Sequence, residues 1–406
     1  MNFEDSPKQA AYRAEVRAWI EANKPDFGHL TPEERRAWHP AHKEVCRQWQ
    51  ATKADAGYAC ISWPKEWGGA GGSAIEETIF LQEEQRAGML TMYFSTGLRM
   101  LLPAIMEHND DELSRSLIPP AVRGDTIWCQ LFSEPSSGSD SAGARCMAVK
   151  DGDEGVINGQ KVWNSGAFHA DYGMLVTRTD PDVPKHKGMS VFWLDMKTPG
   201  VEVRPIRMMS SDNELNEVFL TDVRIPANQM VGEEGDGWKV ILTTLSNERS
   251  VVGSGTGLNW RDVVALAREI PDFEGTVMDD PAFREWLAEY YVNSEAIRLL
   301  SYRTLTALTR GEAPDGGGAK VLWANQTQEM TSQALDFLDR YGLIEDPAIA
   351  PAGGAFQHRF LWAPGLRLGG GSDEIMKNII AERVLGLPGD IRLDKGIPFR
   401  EIPYGR

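Results

Sequence analysis

The chain has 406 residues, 42% of them hydrophobic and 25% charged, with a formal net charge of −17. That length allows a large core and two or three structural units. The acidity speaks against nucleic acid as the main partner, because phosphate binding needs a basic surface.

The four cysteines (Cys46, Cys60, Cys129 and Cys146) are far apart and form no CxxC. Free thiols are therefore expected, and no metal site. The start, Met1-Asn2-Phe3-Glu4-Asp5, is acidic and has no apolar core, so no signal peptide is expected. No apolar run approaches the length of a membrane span, and a cytoplasmic location follows as the expectation.

Residues 1 to about 124 read as helical. Helix formers are dense from Ala11 to Ile20 and from Pro32 to Ala54. A further helix, Ser73 to Arg86, follows the glycines of Trp67-Gly68-Gly69-Ala70-Gly71-Gly72. Leu101, Leu102, Ile105 and Met106 form an apolar face at helical spacing. Met92, Met100 and Met106 read as core, with a pocket lining as the other reading.

Between about 125 and 235 the texture changes to short β-favouring runs. These are Ile127 to Phe132, Arg145 to Val149, Gly173 to Thr177, Met189 to Leu194, Val201 to Val203 and Val218 to Val223. Turn signals at Asp151-Gly152, Asn158-Gly159, Pro199-Gly200 and Gly235-Asp236-Gly237 separate them. Strands so spaced, with no helices between, predict a compact antiparallel sheet or small barrel. Helices return as Trp238 to Ala267, Pro281 to Arg310, Lys320 to Tyr341 and Asp373 to Val384. The class is α+β, with domains at 1–124, 125–235 and 236–406.

Two segments carry candidate chemistry. Ser133-Glu134-Pro135-Ser136-Ser137-Gly138-Ser139-Asp140 follows a strand. Its small residues suit either a pyrophosphate cradle or an ordinary polar turn. In Asn158-Gly159-Gln160-Lys161-Val162-Trp163-Asn164-Ser165-Gly166 the Asn-Gly pair reads as a hairpin turn. Strand alternation then sets Trp163 and Ser165 on one face, to meet a planar ring or to pack in the core.

Together these segments resemble the flavin-binding middle domain of the acyl-CoA dehydrogenase family. Asn216 to Pro226 resembles that domain's closing strand, and Ile379 to Gly386 the family's last helix. The resemblance implies an N-terminal helical domain, a β-domain and a C-terminal four-helix bundle around non-covalent FAD. It sets Leu131, Phe132 and Ser133 against the flavin ring and Gly138 and Ser139 at the pyrophosphate. Trp163, Asn164 and Ser165 would line the isoalloxazine, with the Ser165 hydroxyl near N5. Ser372 and Glu374 would complete the site.

The implied reaction removes a thioester α-proton as a hydride leaves the β-carbon for the flavin. A backbone amide near Gly370 would stabilise the enolate. Most relatives hold the catalytic Glu in the C-terminal loop, where this chain has Gly370. A minority place it on a core helix, and the matching residue here is Glu248, followed by Arg249. The resemblance thus implies relocation of the base to Glu248. Ser139, Ser246, Arg249, Gly369 and Gly370 would border the acyl-CoA. Glycine at both 369 and 370 widens the pocket for a bulky, branched or steroid-type acyl group.

Electrons would pass to an electron-transfer flavoprotein, and the assembly would be a homodimer or homotetramer. The family's inter-subunit adenine clamp, Arg-x-x-Phe-Gly, is missing from Ala265 to Arg284. A mixed oligomer with an unlike subunit therefore stays open. Two other functions also remain: a flavin oxidase or monooxygenase on the same fold, and a non-catalytic subunit of a mixed complex.

Overall fold

A computed structural model describes residues 4–31, 34, 38–89, 92–251, 257–273, 275–310, 317–389 and 391–403. At positions 92, 248–251, 305, 308 and 309 only the backbone is described. The chain divides into two compact units. The first comprises residues 1–207, 213–247 and 392–406, and the second comprises 208–212 and 248–391.

In the first unit, α1 (Pro7–Asn23) starts at a capping box of Ser6 with Gln9, and Pro7 occupies the first turn. Helix α2 (Pro40–Asp55) begins at Pro40, capped by His39. The helix expected from Pro32 is thus shorter, since a proline is tolerated in the first turn and not inside. Ser73 and Glu76 form the capping box of α3 (Ala74–Arg86). Helix α4 (Met92–Thr96) runs through a π-helical turn, Gly97–Leu101, into α5 (Leu102–His108). Two short helices follow, α6 (Glu112–Ser116) and α7 (Ile118–Arg123).

The sheet then forms from β1 (Trp128–Leu131), β2 (Met147–Asp151), β3 (Glu154–Lys161), β4 (Tyr172–Arg178), β5 (Met189–Asp195), β6 (Val201–Pro205), β7 (Asn216–Pro226) and β8 (Met230–Val231). Their order is β6-β7-β3-β2-β4-β5-β8, with β1 beside β4. Pairing is antiparallel, as expected, except that β4 runs parallel to β1 and β2.

Asn158-Gly159 does not turn the chain. It lies within β3, where the register with β7 shifts between Ile157 and Gly159, and the β2–β3 turn is at Asp151-Gly152. Gly159 answers a close approach: a Cβ there would stand 2.7 Å from the Cys146 Sγ.

Both faces of the central strands are buried, so β4 and β5 read as continuous apolar runs. Trp128, Met174, Val176, Val191 and Trp193 face the helices, joining Leu101, Ile105, Val240 and Ile241 in one core. Leu131, Leu175, Phe192 and Leu194 face the other way, onto Val218, Leu220 and Ile225. Helix α8 (Gly237–Val251) packs Val240 and Ile241 into the first of these cores.

The second unit is helical: α9 (Trp260–Glu269), α10 (Pro281–Thr309), α11 (Gly318–Leu338), α12 (Ala355–Trp362) and α13 (Asp373–Ile379). The single helix expected from Trp238 to Ala267 is two. Glycines at 253, 255 and 257 disfavour helix, and Asn259 with Asp262 caps a new start. Leu266, Phe283, Met330, Leu338 and Phe356 form this unit's core.

Candidate active site

The loop after β1 is organised by a buried ion pair. Lys161 Nζ donates to Glu134 Oε1 at 2.7 Å and to the Phe132 carbonyl at 3.2 Å. Glu134 also accepts from the amides of Arg145 (2.7 Å) and Cys146 (2.9 Å). Both side chains are almost fully buried, so each charge depends on the other. The Val162 amide donates to the Ser133 carbonyl at 3.0 Å, tying loop 133–140 to the end of β3.

Strand β3 ends at Lys161, so Trp163 and Ser165 are not on a strand. Trp163 has φ +64 instead. Exposure still alternates: Val162 and Asn164 are buried, and Trp163 and Ser165 face outward. Asn164 fixes the turn. Its Nδ2 donates to the Gln130 carbonyl (2.8 Å), its amide donates to the Asn216 carbonyl (3.0 Å), and its own carbonyl accepts from Asn216 Nδ2 (2.9 Å). Trp38 supports the turn from below, since a Cβ on Gly166 would stand 2.4 Å from its ring.

This face fits a planar, hydrogen-bonding ligand. Trp163 leaves 59% of its surface exposed, unusual for an aromatic on so rigid a turn. The hydroxyls of Ser133, Ser139 and Ser165 have no partner among the described residues. The buried Asn164 Oδ1 likewise lacks a donor. A Cβ on Gly138 would meet nothing within 4 Å, leaving open space for the ligand beside loop 133–140.

Arg178 braces the chain just after loop 133–140, a support that sequence reading missed. Fully buried on β4, it donates to the carbonyls of Ala142 (2.6 Å), Ala144 (3.2 Å) and Lys185 (2.5 Å). Burial lowers its pKa to about 10, against the pull of Glu134. Phe399 from the C-terminal segment covers it, with the guanidinium 3.8 Å from the ring centroid. Of the three buried charges, Arg178 alone carries a signal in the sequence, a charge at the end of the apolar run of β4, while Glu134 and Lys161 stand among small and polar neighbours.

In the second unit, the glycine loop is held from both sides. Gly370 and Gly371 have φ of +66 and +89. The buried Lys320 donates to the Gly371 carbonyl at 2.5 Å. Asp373 accepts from Arg367 Nε (2.7 Å) and Asn325 Nδ2 (3.2 Å). Ser372 caps α13 by accepting from the Ile375 amide at 3.4 Å, and Glu374 is exposed. Its own amide and the Ser372 hydroxyl lower the Glu374 pKa. Gly369 is exposed. In the first unit, on α8, Ser246 is exposed and Asn247 Nδ2 donates to the Met100 carbonyl at 3.4 Å. Glu248 and Arg249 continue the same helix, but their side chains lie outside the described residues.

Family models match the chain almost end to end. The acyl-CoA dehydrogenase N-terminal domain covers residues 6–125, the middle domain 129–223 and the C-terminal domain 235–385. The chain belongs to the acyl-CoA dehydrogenase family and is an FAD-dependent oxidoreductase. It is 34% identical over 406 residues to acyl-CoA dehydrogenase IpdE1 of Mycolicibacterium smegmatis, spanning 94% of this chain and 98% of that one. Acyl-CoA dehydrogenase FadE34 of Mycobacterium tuberculosis is 35% identical over 341 residues, spanning 84% of this chain and 46% of the relative.

Among solved structures, the Tcur3481-Tcur3483 steroid ACAD aligns with TM-score 0.81 at 29% identity, covering 96% of this chain and 100% of that one. The ChsE4-ChsE5 complex from Mycobacterium tuberculosis aligns with TM-score 0.79 at 28% identity, over 96% and 100%.

Proposed function

We propose that this chain desaturates an acyl-CoA thioester with Glu248 as the base that takes the α-proton and Arg249 as its orienting neighbour. The observation that carries the reading is the turn at 162–166, which turns Trp163 and Ser165 outward over a locked Asn164. Bound FAD supplies the hydride acceptor for the β-carbon. Leu131, Phe132, Ser133, Trp163, Asn164 and Ser165 are proposed to hold its ring, and Gly138 and Ser139 its pyrophosphate. Ser372 and Glu374 close the site, and the three domains run 1–124, 125–235 and 236–406.

The thioester α-proton is weakly acidic, so two things are needed. A backbone donor at Gly370 stabilises the developing enolate oxygen. A carboxylate whose pKa rises as substrate displaces water takes the proton. The φ of +66 at Gly370 disfavours any side chain there and so supports a base elsewhere. Glycines at 369 and 370, with Ser139, Ser246 and Arg249 around the thioester, favour a bulky acyl group. Similarity to a protein described as a steroid ACAD supports a steroid-type one.

An electron-transfer flavoprotein is the proposed acceptor, and a cytoplasmic location accords with it. Among the described residues no helix is long and apolar enough to cross a membrane.

The test is anaerobic titration of the purified protein with short, long, branched and ring-bearing acyl-CoA thioesters, followed by the visible flavin spectrum. Bleaching by one class supports both reaction and substrate. A flavin-loaded protein that no thioester bleaches overturns the reading. The solved relatives named as two-component proteins favour one second reading, a chain that needs an unlike subunit. A colourless chain that gains flavin only with such a partner would support it.

A further inference from the structure

A cavity lies among the N-terminal helices of the first unit. Trp63, Phe80, Phe94 and Leu98, all buried, form apolar walls. Its volume is about 40 Å³, where one water needs roughly 10–15 Å³. The cavity therefore admits a small functional group.

Four charged side chains line it: Lys53, Glu77, Glu84 and Arg99. Lys53 and Glu84 satisfy each other at 2.8 Å, and Glu84 also accepts from Trp49 Nε1 at 2.7 Å. Glu77 accepts from the Ser62 amide at 3.3 Å. Arg99 differs. Among the described residues its guanidinium makes no hydrogen bond and no ion pair. Burial lowers its pKa, and Glu77 and Glu84 oppose that only through space. A guanidinium offers donors and no acceptor, so its unmet need is for an oxygen.

Arg99 sits on the π-helical turn Gly97–Leu101, and such turns are frequent at functional sites. The turn is wedged between two parts of the proposed active site. A Cβ on Gly97 would stand 3.1 Å from the Cβ of Trp128 on β1, the strand that leads to Leu131 and Ser133. On the other side the Met100 carbonyl holds Asn247 of α8, the helix that carries Ser246 and Glu248.

Resting on the dehydrogenase reading above, we propose that the Arg99 cavity receives the far end of the acyl group and selects one bearing an uncharged oxygen, a ketone or a hydroxyl. Charge decides against a carboxylate. The two cations and two carboxylates already balance, and a third carboxylate would stand beside Glu77 in a poorly solvated space. A neutral oxygen fills the guanidinium's vacant donors without that repulsion, and a hydroxyl can donate to Glu77 as well.

The test uses the FAD-loaded protein and four acyl-CoA thioesters on one carbon skeleton: unsubstituted, ketone, hydroxyl and carboxylate at the far end. Anaerobic flavin bleaching gives kcat/KM for each. The wild type should prefer the ketone or hydroxyl form over the unsubstituted one by roughly 10- to 100-fold, as befits a hydrogen bond to a charged donor. Arg99→Leu should bring that ratio to about 1, and Arg99→Lys should retain part of it. Flavin content confirms that each variant has folded. The wild-type ratio needs no variant. Equal bleaching by all four forms, or preference for the carboxylate, would overturn the Arg99 site while leaving the dehydrogenase reading intact. No bleaching by any form would overturn the dehydrogenase reading itself.

Discussion

Lys161 carries its charge to a position with no exposed surface, where its partners are Glu134 and the Phe132 carbonyl. Removing one member of such a pair strands the other, at a cost of about 3–5 kcal/mol. Lys161→Met should therefore lower the unfolding free energy by that order and weaken flavin retention, measured by urea titration and by flavin absorbance after gel filtration. A stable variant with full flavin would mean that loop 133–140 holds its shape without the pair.

Glu83 carries a pH dependence of defined sign. Burial alone would raise its pKa, but hydrogen bonds from Arg17, Arg86 and Arg13 win and hold it at about 2, below the ordinary 4.5. Its contribution is thus complete above pH 4.5 and is lost as the pH falls toward 2. Glu83→Gln should be less stable than wild type at pH 6, with the gap narrowing on acidification. Urea midpoints at pH 6 and pH 3.5 check it.

At the scale of elements, the proposed placement of the base on a helix accords with the backbone of the glycine loop. Gly370 has φ +66 and Gly371 φ +89, and Lys320 pins the loop by the Gly371 carbonyl. An L-residue at 370 costs about 1–2 kcal/mol. Glu248→Gln should bind flavin and thioester yet lose nearly all flavin bleaching. Adding Gly370→Glu should restore little of the rate, measured by single-turnover bleaching. Full rescue would show that the loop readily accepts a carboxylate.

The elements also show what could be read in advance. The helix start at Ser73 and the apolar runs of β4 and β5 were legible, because helix starts and burial act locally. Asn158-Gly159 misled, because its glycine meets Cys146, just before the neighbouring strand, and not a turn. Trp163 and Ser165 share an outward side as expected. They do so through a left-handed turn stitched to Asn216, 52 residues away, which strand periodicity could not supply.

At the scale of the molecule, assembly is the open property with the sharpest measurement. The relatives named as paired proteins predict that the purified chain, weighed by light scattering, will either form a flavin-bearing homo-oligomer or take up FAD only beside an unlike subunit. A flavin-bearing monomer would contradict both.

The sequence by itself determined the family, the candidate flavin-binding segments and the glycine at position 370, since these rest on residue identities in order along the chain. The tertiary structure alone decided which charges are buried and which of those are satisfied. Lys161 with Glu134, Arg178 with its carbonyls, and the part-buried Arg99 with no partner among the described residues all look alike as isolated letters. The distinction depends on what the fold brings within hydrogen-bond reach of each group, and the sequence does not state those distances.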